Sequence, residues 1–136
     1  YFLSNFTPCL FGGIDLIKER VVSLYLLSSQ CQGSLGIKRD DSYIYLTDPG
    51  GYGFPPPPSG LIQVYSLFSE GFLTPIDVRS FGVLRTDRIA VSPDGSKAYV
   101  STWDQCCILV IDTKTNAIKK KLSVDLFVNS LVIQKK

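Results

Sequence analysis

The sequence predicts an all-β fold built from repeated four-stranded antiparallel meanders. Residues 89–124 divide into four short runs of strand-forming residues separated by turn signals. A similar tyrosine-bearing strand pattern recurs around Tyr1, Tyr45 and Tyr99. The composition agrees, because 45% hydrophobic residues, 19% charged residues, 11 glycines and 8 prolines are typical of a globular β-rich chain.

The first two predicted strands of this stretch are joined by a tight turn. Residues 89–91 are apolar, and the turn Ser-Pro-Asp-Gly follows at 92–95. Proline presets φ at the second turn position, aspartate can accept a bond from its own backbone, and glycine allows positive φ. The β-forming run KAYVST at 97–102 is therefore predicted to form a hairpin with the first strand.

The third and fourth predicted strands differ in character. Residues 107–111 are five consecutive apolar residues, which predicts a strand that is buried on both faces. After a polar turn at 112–116, residues 117–124 carry three lysines. Lysine discourages edge-to-edge pairing, so this last strand is predicted at the edge of the sheet.

Three short motifs in this stretch resemble the YVTN-type β-propeller repeat. They are VSPDG at 91–95, AYVS at 98–101 and VIDT at 110–113, although Ser101-Thr102 stand where the repeat has Thr-Asn. The resemblance is clear over about 89–124 and weaker elsewhere. It implies a propeller blade but no particular activity, because propellers host unrelated functions.

The remainder of the chain repeats the layout less regularly, and residues 1–136 are predicted to be one propeller segment of about three blades. Residues 35–37 and 43–47 take the places of the first two strands, and Val64-Tyr65 those of Ile111-Asp112. Residues 21–27 and 72–78 take the place of the outer strand at 117–124. The predicted units are a partial blade lacking its inner strand at 1–28, a blade at 34–78 with a loop insertion at 49–60, a blade at 88–124, and the inner strand of a further blade at 130–136.

A propeller segment of this size needs further blades as partners. Propellers close with about 4–8 blades, and each blade needs neighbours to cover its two apolar faces. The remaining blades could come from a longer chain of which this is an excerpt, or from other copies of this chain through self-association. The sequence leaves both alternatives open.

Charge and residue types argue against several partners and cofactors. The net charge is +2, and the only basic run, Lys119-Lys120-Lys121, alternates between the two faces of a predicted strand, so no nucleic-acid partner is predicted. No apolar run reaches the ~18 residues of a membrane span. The chain has no histidine and no C-x-x-C pair, so no metal site, cofactor or catalytic residue is predicted.

Two of the four cysteines are adjacent, and they allow two interpretations. Cys106 and Cys107 are either two small half-buried residues entering the third strand or a strained vicinal disulfide. Some quinoprotein dehydrogenase propellers carry such a pair beside their cofactor, but nothing else in the sequence matches those enzymes.

The candidate binding residues come from loops that a propeller blade would place on one face. The insertion at 49–60 carries four consecutive prolines together with Tyr52 and Phe54, and is either a stiffened surface loop or a recognition loop. It should share its face with the turn containing Trp103 and Asp104 and with the linker containing Arg85. These five residues either form one binding surface or are unrelated loop residues.

The predicted function is therefore a non-catalytic binding or scaffold segment that holds a protein or a small ligand through the aromatic residues of these loops. The alternative is a fragment of a propeller enzyme, lactonase-like or quinoprotein-like, whose catalytic residues lie mostly outside the chain. Proteins with YVTN-type repeats are often exported, so the resemblance also implies an extracytoplasmic location.

Overall fold

A computed structural model describes residues 2–3, 10–15, 17–26, 33–38, 40, 42–48, 60–125, 128 and 130–134. The regular elements of this part of the chain are β-strands in three antiparallel sheets and one short 3-10 helix, Arg79–Phe81. The all-β prediction is confirmed. None of the helices among the described residues is long and apolar enough to cross a membrane.

The N-terminal sheet has three strands in sequence order. They are β1 (Phe2–Leu3), β2 (Leu10–Asp15) and β3 (Arg20–Leu26). The ladder between β2 and β3 shifts register between Gly13 and Ile14. Both Gly12 and Gly13 are buried at this irregularity.

The central sheet has five strands, and its outer part differs from the prediction. The strands are β4 (Leu35–Ile37), β5 (Tyr43–Leu46), β6 (Leu61–Ser66), β7 (Gly71–Phe72) and β8 (Ile76–Asp77). The single outer strand expected at 72–78 is wrong, because β7 and β8 each pair with a different part of β6. Pro75 lies between them, and proline has no N–H to donate to a continuous ladder.

The C-terminal sheet is a four-stranded meander. Its strands are β9 (Thr86–Val91), β10 (Lys97–Thr102), β11 (Cys107–Asp112) and β12 (Ala117–Ser123), in the order β12-β11-β10-β9. The hairpin, the third strand and the lysine-bearing edge strand are confirmed. The third strand is fully buried on its core face, but Ile108 on the opposite face is only half-buried, so the predicted burial of both faces is incomplete. The first strand also differs, since it begins at Thr86, which pairs with Thr102 beyond a register shift.

An aspartate closes the same turn in the central and C-terminal sheets. Asp94 accepts a hydrogen bond from the Ser96 backbone N–H at 3.1 Å, and Asp40 accepts one from the Ser42 N–H at 3.1 Å. The ammonium of Lys38, which donates to Asp40 at 2.8 Å, and the Ser42 hydroxyl lower the pKa of Asp40 to about 2. Hydrogen bonds from the Ser92 hydroxyl and from Ser96 likewise lower the pKa of Asp94. The local role predicted for the aspartate of the 92–95 turn is confirmed.

The central and C-terminal sheets share one hydrophobic core. The inner strands β4 and β9 lie close together, and a Cβ on Gly36 would lie 3.2 Å from two side-chain carbons of Ile89. Glycine at position 36 therefore permits this approach. The core residues come from both sheets: Tyr45, Ile62, Val64, Ile76, Val78, Val83, Ile89, Ala98, Val100, Cys107, Leu109 and Ile111.

Residues 130–134 form no strand in the structure. Their exposure nevertheless alternates, with Leu131 and Ile133 half-buried and Ser130, Val132 and Gln134 exposed, as in a strand with one covered face. The assignment of this segment to a further blade, like the boundaries proposed for the other units, stays a prediction.

Candidate binding face

Three of the predicted site residues lie together at one end of the C-terminal sheet. The Trp103 backbone N–H donates to the carbonyl oxygen of Arg85 at 3.0 Å. Asp104 accepts a hydrogen bond from the Leu84 N–H at 2.8 Å through Oδ2. The turn after β10 and the linker before β9 are therefore fastened to each other by one backbone bond and one side-chain bond.

Asp48 and Gly60, the described residues that flank segment 49–59, form hydrogen bonds on either side of Arg85. The Thr86 N–H donates to the carbonyl oxygen of Asp48 at 2.9 Å, and the Gly60 N–H donates to that of Leu84 at 3.0 Å. Tyr52 and Phe54 belong to this segment and lie outside the described residues. What the structure describes is that the chain enters and leaves the segment beside Arg85.

A buried polar seam supports this end of the molecule. The Thr86 hydroxyl accepts a hydrogen bond from the Asp48 N–H at 2.9 Å, and the Thr47 hydroxyl donates to the carbonyl oxygen of Asp87. All four residues are at least nine-tenths buried. Hydrogen bonds between them compensate the cost of burying polar backbone groups where the two sheets meet.

Sequence reasoning missed this seam, although a signal for it exists. Thr47-Asp48 directly follows β5, and Thr86-Asp87 begins β9, so the same Thr-Asp dipeptide stands on both sides of the contact. A threonine hydroxyl at the end of a strand can bond a backbone group that the ladder leaves unpaired. The repeated dipeptide would have indicated a polar contact between neighbouring sheets.

The outer surface at this end includes two exposed apolar side chains and a half-buried arginine. Trp103 is 40% exposed and Leu84 is 48% exposed, and Arg85 between them is half-buried. The carboxylate of Asp104 holds the Leu84 backbone, so its role here is to position the loop. We call Leu84, Arg85 and Trp103 the loop face.

Asp87 is a buried carboxylate of the polar seam. Burial raises the pKa of Asp87, and the guanidinium of Arg88, whose Nε lies 3.6 Å from Asp87 Oδ1, opposes that rise. The backbone N–H of Arg88 also donates to the Ser101 hydroxyl at 3.0 Å. Asp87 thus belongs to the sheet contact and not to the exposed surface.

Cys106 and Cys107 lie at the end of the turn between β10 and β11, and both are free thiols. Cys107 is buried, and its backbone N–H donates to the Thr102 hydroxyl at 3.2 Å. Cys106 is half-buried with a φ of 43°, and its carbonyl oxygen accepts from the Val124 N–H at 3.0 Å. Of the two interpretations, two small residues at the start of the third strand fit the structure.

The lysine run and the acidic residues form no further site among the described residues. Lys119 lies 3.7 Å from the Asp112 carboxylate, whereas Lys121 donates to the carbonyl oxygen of Phe81 at 2.9 Å. Residues two apart on a regular strand share a face, but the β11–β12 ladder skips Lys119 at its register shift, and these two lysines contact different neighbours. The described part of the chain contains no group of three or more His, Cys, Asp or Glu side chains that could hold a metal ion.

Comparisons with known proteins establish the fold. No protein-family model and no curated protein sequence matches the chain. Solved structures do match. Hydrazine synthase from Kuenenia stuttgartiensis aligns with a TM-score of 0.68 at 18% identity, over 88% of this chain and 30% of that chain.

Two further matches are the structure of U3-55K and the WD40 repeats of RRP9. Each aligns with a TM-score of 0.72 at 14% identity, over 92% of this chain and 36% of the matched chain. This chain thus spans about a third of the length of these three structures. At these identities the likeness concerns the fold alone, and it shows that the chain folds as part of a β-propeller.

Proposed function

We propose that this chain is a non-catalytic binding segment of a β-propeller, and that it holds a protein partner at the loop face. The observation that supports the proposal is that Asp48 and Gly60, which flank residues 49–59, bond to the chain on both sides of Arg85. Arg85 in turn accepts a hydrogen bond from the backbone of the exposed Trp103, and Tyr52 and Phe54 belong to the flanked segment.

The chemistry of the loop face fits a protein contact. Tryptophan, tyrosine and arginine are the residues that most often dominate the energy of protein interfaces. Leu84 and Trp103 supply apolar area, and Arg85 supplies a cation and several hydrogen-bond donors. Three hydrogen bonds hold the backbone of residues 84–86: Leu84 bonds to Gly60 and to Asp104, and Thr86 bonds to Asp48. This preorganisation reduces the entropy lost on binding.

The finer family assignment and location are also proposals. The VSPDG, AYVS and VIDT motifs favour the YVTN type of repeat within the propeller fold. That assignment, together with the extracytoplasmic location it implies, rests on the sequence resemblance. A YVTN-type repeat unit whose motifs aligned one by one with these three would strengthen the family assignment.

A capture experiment with matched variants tests the binding role. Wild-type chain, Trp103→Ser and Leu84→Ser are immobilised and exposed to the same protein mixture. The control is Phe68→Ser, because Phe68 is 96% exposed in the β6–β7 turn, at the end of the central sheet opposite Gly60. A specific partner is retained by the wild type and by Phe68→Ser, and is lost by both loop-face variants.

The same partner is then purified and titrated against the chain. Trp103 is the only tryptophan, so its emission reports on the loop face directly. A saturable shift of that emission supports the proposal. Equal retention by all four proteins, or a captured partner that leaves the emission unchanged, contradicts it.

The enzyme alternative is tested on a longer protein that contains this chain. Turnover of a substrate that continues unchanged in Trp103→Ser and Leu84→Ser, with no partner retained at the loop face, would favour an enzyme fragment over a binding segment.

A further inference from the structure

The C-terminal sheet has a second face, opposite the shared core. Tyr99 pairs with Ala90 on one side and with Val110 on the other, and directly paired residues lie on the same face of a sheet. Ile108, two residues before Val110, lies on this face as well. Tyr99 and Ile108 are only half-buried, whereas Val100 and Leu109 on the core face are fully buried.

The central sheet carries the same three residue types at the same places. Tyr45 pairs directly with Val64, as Tyr99 pairs with Val110, and Ile62 precedes Val64 as Ile108 precedes Val110. The register therefore aligns Val64 with Val110, one residue from the alignment that the sequence suggested. In the central sheet this Tyr-Val-Ile set is fully buried against the C-terminal sheet.

The two tyrosine hydroxyls differ in one respect. The Tyr45 hydroxyl donates a hydrogen bond of 2.7 Å to Oδ1 of Asn116, in the turn between β11 and β12. Within the described part of the chain, the Tyr99 hydroxyl has no such acceptor. A partner of the same kind would supply one.

A groove lies where a further sheet would place its counterpart of the β11–β12 turn. Its volume is about 310 Å³, and it lies on the second face at the end of the sheet that holds the turns after β9 and β11. Asn116 meets Tyr45 at this same end of the neighbouring pair. The lining includes Lys97, Val110 and Asp112.

We propose that this second face receives a further four-stranded sheet of the same repeat, and that the turn between the third and fourth strands of that sheet places an amide or carboxylate oxygen against the Tyr99 hydroxyl. The occupant follows from the existing interface: the Tyr-Val-Ile set already binds one such sheet in this molecule. This surface is separate from the loop face and does not depend on its function.

An extended chain tests the proposal. Residues 92–125 are appended after residue 133, so that Leu131, Val132 and Ile133 take the places of Ile89, Ala90 and Val91 ahead of a second copy of the C-terminal sheet. Unfolding by urea is measured for this chain and for the original chain. Tyr99→Phe is introduced into both, and Asn116→Gly into the appended copy alone; glycine keeps the positive φ of 53° at that position.

The expected result is selective. Tyr99→Phe raises the unfolding equilibrium constant of the extended chain by about fivefold, the effect of losing one ordinary hydrogen bond, and leaves the original chain unchanged. In the extended chain carrying Asn116→Gly in the appended copy, Tyr99→Phe has no further effect. Equal effects of Tyr99→Phe in both chains, or amides in the appended copy that exchange freely, would overturn the proposal.

Two measurements on the original chain do not depend on the folding of the appended copy. The dye 8-anilinonaphthalene-1-sulfonate should bind the open face, and Ile108→Lys should reduce that binding severalfold; unchanged dye binding contradicts an open apolar face. Sedimentation tests whether a second copy of the chain occupies this face instead. A dimer that is dissociated by Val110→Lys would assign the face to that second copy and contradict the proposal.

Discussion

The hydroxyl of Tyr45 and the side chain of Asn116 form a hydrogen bond of 2.7 Å between residues that are 71 positions apart in the chain. Tyr45 is fully buried on β5, and Asn116 is half-buried in the turn after β11. This bond, together with the core packing of the tyrosine ring, joins the central and C-terminal sheets at the end opposite the loop face.

Tyr45→Phe should remove this bond while keeping the ring. We expect a loss of about 1 kcal/mol in the free energy of unfolding, measured by urea denaturation, since a neutral hydrogen bond contributes about 0.5–1.5 kcal/mol. Tyr99→Phe is the matched control and should change stability by less than about 0.5 kcal/mol. A larger loss in the control than in Tyr45→Phe would contradict the assignment.

Tyr45 should also make the protein sensitive to alkali. Burial raises the pKa of Tyr45 above its ordinary value near 10. Below about pH 10 the phenol is neutral in both the folded and unfolded states, so its full contribution to stability is present. Above that pH only the unfolded state ionises readily, and stability falls by up to about 1.4 kcal/mol per pH unit.

Thermal unfolding between pH 8 and 11 measures this effect. The fall of the melting temperature above pH 10 should be steeper in the wild type than in Tyr45→Phe. Identical slopes for the two proteins would show that Tyr45 ionises as easily in the folded state as in the unfolded state.

Gly36→Ala should destabilise the contact between the inner strands. The added methyl group would lie 3.2 Å from Cγ1 and Cγ2 of Ile89, and overpacking of this kind costs about 1–3 kcal/mol. Ile89→Ala removes both of these carbons and costs about 2–5 kcal/mol alone. In urea denaturation, the double variant should lose less than the sum of the two single variants; strict additivity would show that the two groups do not meet.

The Thr86 hydroxyl should be required at the polar seam. Thr86→Val leaves the buried Asp48 N–H without its acceptor, and we expect a loss of about 1–3 kcal/mol in the free energy of unfolding. Thr86→Ser retains the hydroxyl and should recover most of that loss. If valine and serine are equally tolerated, the bond to Asp48 contributes little.

Acid should open the two aspartate turns. The pKa values of Asp40 and Asp94 are depressed by their hydrogen bonds, so the stabilisation they provide is present above the ordinary carboxyl value near 4 and is lost as the pH falls through the lower folded values. Amide exchange at Ser42 and Ser96, followed by NMR from pH 5 to pH 2, should accelerate relative to the intrinsic rate.

Asp94→Asn is the control for this acid effect. An amide oxygen can still accept from the Ser96 N–H but does not titrate in this range, so the pH dependence at Ser96 should disappear while that at Ser42 persists. Loss of the dependence at both sites would point to a global acid transition.

The loop face shows how far sequence reasoning reached. Trp103, Asp104 and Arg85 were expected on one face because an antiparallel meander places alternate loops at the same end, and the structure brings these three together. The hydrogen bond from the Leu84 N–H to the Asp104 carboxylate could not be predicted, because it depends on how two loops from different strands approach each other.

The sequence by itself determined the local structure: turns closed by aspartate and glycine, an apolar third strand and an edge strand bearing lysines, since these follow from backbone preference and side-chain period within a few residues. Only the tertiary structure decided which faces meet. The Thr-Asp seam and the bond from Tyr45 to Asn116 both depend on contacts between sheets that are distant in the chain. Such contacts are selected by packing and by the burial of polar groups, which no local pattern specifies.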